Sequence, residues 1–314
     1  GTVSNQAVTR SVTDKTGSTN SLTTEEARQL KSSPLVRRLA HEHDIDITKI
    51  VGTGANGRVT KRDILQVIEK QSTTTQRTAP AFIVGPGDRV EPLSNMRKKI
   101  AEHMILSRRT SAHVHSVFHV DFSNLKEIRQ KKKAKYDRAG AKLTYMAFIA
   151  KAVIDAIQRH PILNASLDGD SIIYRKDINL GIAVSLENGL IVPVIKNAQA
   201  KDVFGLSKAI VDVASRARSK QLKPEEVQDG TFTITNPGQL GAQFSFPIIN
   251  QPQVAILGIG TIEKRAVAVN NKVQIRTMAY LTLGFDHRLI DGVVADEFMA
   301  DLKTQLENFS PEDV

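Results

Sequence analysis

The residue with the clearest chemical capacity is His287, within the segment D-H-R-L-I-D-G at residues 286–292. A predicted strand ends at Phe285 and a predicted helix begins a few residues beyond Gly292, so His287 and Asp291 share a tight connection. A neutral imidazole can take a proton from a thiol or a hydroxyl and return it to a leaving group. The segment therefore predicts His287 as a general base, with Asp291 holding the loop or orienting a basic partner. Taken alone, the Asp-Gly pair is also typical of an ordinary turn.

A second candidate is Thr235, in F-T-I-T-N-P-G at residues 232–238. The pattern predicts a strand that ends near Thr235, after which Asn236 and Pro237 turn the chain away. A hydroxyl at a strand end can donate a hydrogen bond to a developing oxyanion. Threonine is also a common strand residue, so the position alone leaves a purely structural role open.

Composition restricts the chemistry. The 314 residues include 43 Lys and Arg against 33 Asp and Glu, a net charge of +10 that favours acidic partners, anionic ligands or nucleic acid. The sequence has no cysteine, which excludes disulfides, a thiolate nucleophile and a cysteine-ligated metal. His113, His115 and His119 alternate along one predicted strand, but no set of Asp, Glu or Cys at ligand spacing accompanies them. We therefore predict no metal site.

The sequence contains neither a long apolar run nor a basic start followed by an apolar stretch. We therefore expect no membrane span and no signal peptide. A soluble intracellular protein is the expectation. Because the chain begins with Gly rather than Met, we also expect that a preceding segment is missing.

Changes in composition divide the chain into four parts. A start rich in Ser, Thr and charge cannot offset the entropy of folding by burial. Two short helices follow, the first with Ser33 as N-cap and Pro34 at its first position, the second with Thr60 and Asp63 as a capping pair. The predicted divisions are a disordered linker (1–31), a small helical domain (32–70), a second linker (71–88) and a large domain (89–314).

The large domain interleaves helical and strand patterns, which predicts an α+β fold with a mixed sheet. A capped helix opens it at Ser94, and two strands flank a predicted turn at Asn188-Gly189. The chain ends in a helix with one apolar side, formed by Ala295, Phe298, Met299, Leu302 and Leu306.

Several segments together resemble the catalytic domain of the 2-oxoacid dehydrogenase acyltransferases. They are R-K-K-I-A-E-H-M, then F-T-I-T-N followed by P-I-I-N-Q-P-Q-V-A-I-L-G, and finally the strand, D-H-R-L-I-D-G and helix. The small domain, with S-P-L-V-R-R-L-A and G-T-G-A-N-G-R-V-T-K-R-D-I, is similar to the peripheral subunit-binding domain of that family. Both matches occur in the order that the family has.

The resemblance implies a chloramphenicol acetyltransferase-like catalytic domain preceded by a small all-α subunit-binding domain. It also implies transfer of an acyl group between dihydrolipoamide and coenzyme A, in trimers that have active sites between subunits and assemble into a hollow core. By position, His287 becomes the general base for the coenzyme A thiol, Asp291 the loop-ordering acid and Thr235 the oxyanion donor. Neither a metal nor a covalent enzyme intermediate is required. The resemblance implies a location in the cytoplasm of a bacterium or in the mitochondrial matrix of a eukaryote.

The resemblance extends to ligands and partners. Arg97, in the family's R-K-x-I-A segment, is implied in coenzyme A binding, because a guanidinium suits phosphate. A basic set in the small domain is implied in docking the 2-oxoacid decarboxylase or dihydrolipoamide dehydrogenase: Arg37, Arg38, Arg58, Lys61 and Arg62. The family also carries a lipoyl domain, which we do not find here, so we expect a missing segment or another chain to supply the lipoyl group.

The sequence leaves the acyl group and the role of the chain open. Thr235 favours a succinyl-transferring member, and hence a role in the tricarboxylic acid cycle, while acetyl and branched-chain acyl groups stay open. A non-catalytic scaffold of the same multienzyme complex would not need His287, Asp291 and Thr235. A nucleic-acid-binding protein would explain the charge, but the sequence offers no motif for it.

Overall fold

The structure is a computed structural model, and it describes residues 32–43, 45–74, 83–186 and 189–314. Contacts divide the chain into two compact units, residues 1–90 and 91–314. The predicted linker at 1–31 and Asn188 of the predicted turn lie outside the described residues.

The small unit contains the two predicted helices, α1 (Pro34–Glu42) and α2 (Lys61–Thr74). Ser33 caps α1 as expected, because its hydroxyl accepts a hydrogen bond from the Val36 N–H at 3.4 Å. Short 3-10 turns at Ile47–Lys49 and Ala55–Gly57 join the helices. The apolar core is small and consists of Val36, Ala40, Ile45, Val59 and Ile64.

Asp63 ties the glycine-rich loop of this unit to the first turn of α2. Its carboxylate accepts hydrogen bonds from the N–H of Thr60 at 2.9 Å and of Thr53 at 3.0 Å, and from the Thr53 hydroxyl at 2.7 Å. The residue is only 5% exposed. The backbone N–H groups of Thr53 and Thr60 stabilise the charged carboxylate and lower the pKa of Asp63 far below its usual range. The predicted capping pair is present, and the same carboxylate also fastens a loop ten residues away.

Helix α2 continues to Thr74, so the first four residues of the predicted second linker are helical. No Gly or Pro lies between Lys61 and Thr74 to stop the helix. Residues 71–74 are polar and show no apolar periodicity, and such a composition is typical of a linker.

The described part of the large unit contains five α-helices. They are α3 (Asn95–Thr110), α4 (Ser123–Arg138), α5 (Tyr145–Arg159), α6 (Val203–Arg218) and α7 (Gly292–Glu307). The strands are β1 (His113–Asp121), β2 (Ala165–Asp168), β3 (Ser171–Tyr174), β4 (Leu180–Ile182), β5 (Val184–Leu186), β6 (Gly189–Ile191), β7 (Val194–Ile195), β8 (Phe232–Thr235), β9 (Ala255–Ile259), β10 (Glu263–Val269) and β11 (Lys272–Asp286).

Seven strands form one mixed sheet in the order β1-β11-β9-β8-β4-β7, with β10 also paired to β11. Strand β8 runs parallel to β4 and β9, whereas β11 is antiparallel to β1, β9 and β10. The strands β2–β3 and β5–β6 form two separate hairpins. The predicted α+β class with a mixed sheet is confirmed.

Successive side chains of each strand point to opposite faces of the sheet. One of these two faces is apolar and packs against the helices. Phe232 and Phe285 belong to that buried face, and the ring of Phe298 on α7 lies 6.2 Å from the ring of Phe232. The five residues predicted for the apolar side of the last helix are all buried. The opposite face carries Thr235, Gly284 and the three histidines of β1.

Replacing Asp63 with Asn tests the clamp in the small unit. Because the pKa of Asp63 is lowered, its contribution to stability is present above the ordinary carboxyl pKa of about 3.9 and is lost as the pH falls below it. We expect the Asp63→Asn protein to have faster amide hydrogen exchange at Thr53 and Thr60 at neutral pH, and a weaker loss of small-domain stability on acidification. The control is Asp46→Asn, since the Asp46–Lys49 pair is exposed. Equal exchange in the Asp63→Asn and unchanged proteins would contradict the clamp.

Candidate active site

The connection between β11 and α7 is a single tight turn of residues 287–291. The N–H groups of Leu289 and Ile290 both donate to the carbonyl oxygen of Asp286, at 3.0 and 2.9 Å. The Ile290 side chain is fully buried, and the Asp291 carbonyl accepts the first helical hydrogen bond, from Ala295. The turn is thus fixed at both ends and in the middle.

His287 and Asp291 project from this turn with exposed side chains. The backbone N–H of His287 donates to the carbonyl of Ala112 at 2.9 Å, and its ring lies 5.8 Å from the ring of Phe285. Asp291 is the N-cap residue of α7, but its side chain makes no capping hydrogen bond. Both candidate residues therefore combine a fixed backbone with an accessible side chain.

Asp286, which the sequence reasoning did not single out, lies at the base of the turn and is 1% exposed. Its carboxylate accepts hydrogen bonds from the Ala112 N–H at 3.1 Å and from the Arg288 guanidinium at 2.7 Å. Burial alone would raise the pKa of Asp286, but the hydrogen bonds from Arg288 and Ser111 outweigh it and hold that pKa below its ordinary value. The available signal was the i, i+2 spacing of an acid and an arginine at a strand end, which can place them on one side.

Thr235 lies at the end of β8, half-buried, and pairs with Gly258 of β9. His287 follows Asp286, whose N–H donates to Val254, the residue before β9. The strand register therefore separates Thr235 from His287 by roughly 17 Å along the strands and about 10 Å across them. Within one chain, the structure does not bring the predicted base and the predicted oxyanion donor together.

Arg97 lies in the first turn of α3 with an exposed side chain. The guanidinium reaches β6, because a Cβ built on Gly189 would lie 3.5 Å from its Nη2 atom. Ala112, two residues beyond the other end of α3, donates its N–H to Asp286, and the intervening helix is roughly 20 Å long. Arg97 is therefore remote from His287 of the same chain.

Two of the three β1 histidines, His113 and His115, make hydrogen bonds, whereas the ring of His119 stacks on that of Tyr280 at 4.5 Å. The Nε2 atom of His113 accepts a hydrogen bond from the Ile249 N–H at 3.1 Å, so its Nδ1 carries the proton and donates to the Ser111 carbonyl at 3.0 Å. Burial lowers the pKa of His113, which favours this neutral form. His115 contacts the Pro247 carbonyl through Nε2 at 3.0 Å. These rings fasten the segment 247–249 to the sheet. Among the residues that the structure describes, no group of three or more His, Asp and Glu is arranged to hold a metal.

The five basic residues predicted for docking are all exposed in the small unit. Arg37 and Arg38 lie on α1, while Arg58, Lys61 and Arg62 lie at and just before the start of α2. Arg37 is held by hydrogen bonds to the hydroxyl and carbonyl of Ser32, both at 3.3 Å.

A family model described as 2-oxoacid dehydrogenases acyltransferase (catalytic domain) matches residues 85–312. The chain belongs to the 2-oxoacid dehydrogenase acyltransferases. A second model, the e3 binding domain, matches residues 30–65 and indicates binding of dihydrolipoamide dehydrogenase, the E3 component. Members of this family use coenzyme A and lipoyl groups. The resemblance inferred from the motifs is confirmed for both parts of the chain.

Two relatives are equally similar to this acyltransferase. One is the succinyltransferase component of the 2-oxoglutarate dehydrogenase complex of Pseudomonas aeruginosa, 38% identical over 293 residues. The other is the lipoamide acyltransferase component of the branched-chain alpha-keto acid dehydrogenase complex of Bacillus subtilis, 38% identical over 299 residues. Each alignment covers 88% of this chain and 70% of the relative.

A solved dihydrolipoamide acetyltransferase from Azotobacter vinelandii has a similar structure, with a TM-score of 0.68 and 32% identity. It covers 73% of this chain, and the match spans 98% of that chain. The predicted chloramphenicol acetyltransferase-like fold of the catalytic domain is thereby confirmed. None of the helices in the described residues has the length and apolar composition that a membrane span requires.

Proposed function

We propose that His287 is the general base in the transfer of an acyl group between dihydrolipoamide and coenzyme A, acting together with Thr235 of a neighbouring subunit. The observation that carries this proposal is the exposed imidazole on a turn whose backbone is fixed by Ala112, Asp286 and Ile290. A base can work only when its position relative to the substrate is defined.

The reaction follows from these residue types. The His287 imidazole takes the proton of the coenzyme A thiol, and the resulting thiolate attacks the carbonyl carbon of the S-acyl-dihydrolipoamide thioester. The carbonyl oxygen becomes an oxyanion, which accepts a hydrogen bond from the Thr235 hydroxyl. The tetrahedral intermediate then expels the dihydrolipoamide thiolate, which recovers the proton from the imidazolium. No covalent bond to the enzyme forms.

The spacing of the three candidates supports this assignment. The residues studied for catalytic roles in the Azotobacter vinelandii acetyltransferase are a serine, a histidine 52 residues later and an asparagine four residues beyond it. Thr235, His287 and Asp291 have the same separations in this chain. Threonine retains the hydroxyl that serine supplies, and Asp291 stands where that enzyme has a side-chain amide.

The separation of Thr235 from His287 within one chain supports a site shared between subunits. A donor must approach the oxyanion to about 3 Å, whereas the two residues are several times farther apart in one copy. We propose homotrimers in which His287 of one subunit faces Thr235 of the next, and which assemble into a larger hollow core. Asp291 would then order its loop through a contact that a single chain does not contain.

The negative charge of coenzyme A matches the positive charge of Arg97. Coenzyme A carries its phosphates far from its thiol, at the other end of an extended arm. We propose that Arg97 binds one of those phosphates at a distance from the reacting atoms, since a guanidinium donates in pairs to phosphate oxygens. The lipoyl group would arrive on a domain that this sequence does not include, or be supplied in trans.

The acyl group proposed is succinyl. Thr235 in F-T-I-T-N favours it, whereas the equal identity to a succinyl and a branched-chain relative does not decide between them. Acetyl and branched-chain groups are the alternatives, because the same thiol exchange serves all three.

The small domain, proposed as residues 32–70, would dock the peripheral enzymes. Its exposed cations favour binding to an acidic surface on dihydrolipoamide dehydrogenase. We propose that the 2-oxoacid decarboxylase can bind to the same cations of the small domain.

Replacing His287 with Ala should reduce acyl transfer to free dihydrolipoamide by about 10²- to 10⁴-fold, because the general base is lost. Replacing Thr235 with Ala should also lower kcat. When the two variants are unfolded and reassembled together in equal amounts, we expect activity to recover to roughly a quarter of the wild-type value, since random mixing rebuilds that share of two-chain sites. Reassembly of each variant alone is the control. Recovery that never exceeds the mean of the two separate variants would contradict a shared site.

The acyl group can be identified by running the reaction in reverse with succinyl-, acetyl- and isobutyryl-CoA. We expect the highest kcat/KM with succinyl-CoA, by at least about tenfold, which is the size of one favourable charged or shape-specific contact. A higher value for either other donor would reassign the acyl group and leave the role of His287 intact.

Charge reversal tests the docking surface. Arg38→Glu and Lys61→Glu should each weaken binding of dihydrolipoamide dehydrogenase by about tenfold or more at low salt, because they replace attraction with repulsion. Titration calorimetry measures this effect. Lys49→Glu is the matched control, since Lys49 is an exposed cation of the same domain outside the proposed set. Equal losses for all three would show that net charge, rather than this surface, governs docking.

A further inference from the structure

We propose that Asp286 and Arg288 form a positioning pair that holds His287 in its catalytic orientation. This inference rests on the proposed role of His287 and concerns two residues that flank it in sequence. Neither residue is proposed to touch the reacting atoms.

The contacts of the Asp286 carboxylate are the first support. Its Oδ1 atom accepts hydrogen bonds from the Ala112 N–H at 3.1 Å, from the Arg288 N–H at 3.1 Å and from Arg288 Nε at 3.0 Å. Its Oδ2 atom accepts from Arg288 Nη2 at 2.7 Å. The guanidinium therefore folds back onto the residue two positions earlier, and the pair brackets His287 from both sides.

The second support is the position of Ala112. Its carbonyl receives the His287 N–H at 2.9 Å, while its own N–H is bound by Asp286. The residue that anchors the His287 backbone is thus itself held by the proposed pair. A shift of the carboxylate would be passed to His287 through two hydrogen bonds.

The pair is also connected to the surrounding elements. The Ser111 hydroxyl accepts a hydrogen bond from Gln251 Nε2 at 2.6 Å, and Ser111 helps to hold the pKa of Asp286 below its ordinary value. Ser107, one turn earlier on α3, donates to the Ile249 carbonyl at 2.6 Å. The carboxylate therefore fixes the turn to Ala112, next to the end of α3, and the end of α3 is itself bonded to the segment 249–251.

Energetics favour a role in positioning over a role in stability. The Asp286 side chain is 2% exposed and that of Arg288 is 39% exposed, so one charge is fully buried and depends on the other for compensation. Such pairs contribute little net stability, but loss of one partner leaves an uncompensated charge that the local structure must move to solvate. The group that would move is the turn that carries His287. A displacement of about 1 Å can lower a rate by roughly 10²-fold.

A matched pair elsewhere in the same domain supplies the control. Arg159 and Asp301 join α5 to α7 through a 2.8 Å contact, also between a guanidinium and a carboxylate. Arg159 is half-exposed, and Asp301 lies roughly 14 Å along α7 from the β11–α7 turn.

The experiment compares Arg288→Gln, Arg288→Lys and Arg159→Gln with the unchanged protein, using free dihydrolipoamide and acyl-CoA. We expect Arg288→Gln to lower kcat by about 10- to 100-fold while KM for both substrates changes less than about twofold, because positioning acts on the transition state. Arg288→Lys should recover part of kcat, since an ammonium keeps the charge but not the two-point contact. Arg159→Gln should keep kcat within about twofold.

A double-mutant cycle with Asp286→Asn adds a second criterion. If the two residues act as one unit, Asp286→Asn combined with Arg288→Gln should lower kcat hardly further than Asp286→Asn alone. Because Arg288→Lys keeps a positive charge beside the buried Asp286 carboxylate, its kcat relative to the unchanged protein tests the proposal even if Asp286→Asn or Arg288→Gln does not fold.

Three results would overturn the proposal. They are an unchanged kcat in Arg288→Gln, a raised KM at constant kcat, which would make Arg288 a substrate-binding residue, and fully additive effects in the cycle. Failure of the function itself is distinguishable, because it would appear as wild-type protein without acyl transfer or as full activity in His287→Ala.

Discussion

The pairing of β11 on both of its edges is the constraint on which the rest of the large domain depends. This strand is 15 residues long and pairs with β1 on one side and with β9 and β10 on the other. Gly284 allows β11 to lie close to the His115 side chain of β1, because a Cβ at that position would lie 3.0 Å from the His115 ring. A slip of one residue would exchange the two faces of the strand and place the Asp286 carboxylate in the apolar core. The position of the turn that follows is therefore set by the whole sheet.

Two neighbouring residues at the end of β11 differ sharply in their exposure to solvent. Asp286 is enclosed, whereas the next residue, His287, projects outward. A buried charge needs fixed donors, and fixed donors hold the backbone around it. The arrangement places a reactive side chain at the surface without giving its backbone the freedom that surface turns commonly have. The buried Asp286 carboxylate therefore fixes the conformation of the turn.

Local signals in the sequence were sufficient for much of the fold. Ser33 and Thr60 mark helix starts because capping depends on neighbours three residues away, and the last helix was evident from its apolar spacing. The role of Asp286 was not evident, since its partner Ala112 lies 174 residues away in sequence and β1 must first pair with β11. The distance between Thr235 and His287 likewise depends on the register across three strands. Residue types predicted the chemistry, but long-range pairing decided which residues share a site.

The clamp at Asp63 has a consequence for how the small domain can change over evolution. Among its described residues, five buried apolar side chains form the centre of the core, and one carboxylate holds the glycine-rich loop by backbone N–H groups as well as by a hydroxyl. Backbone donors are present whatever side chain a loop residue carries. Substitutions at the outward-facing positions should therefore have little effect on the fold. Such a domain can exchange its surface charges and acquire new binding preferences while its scaffold stays the same.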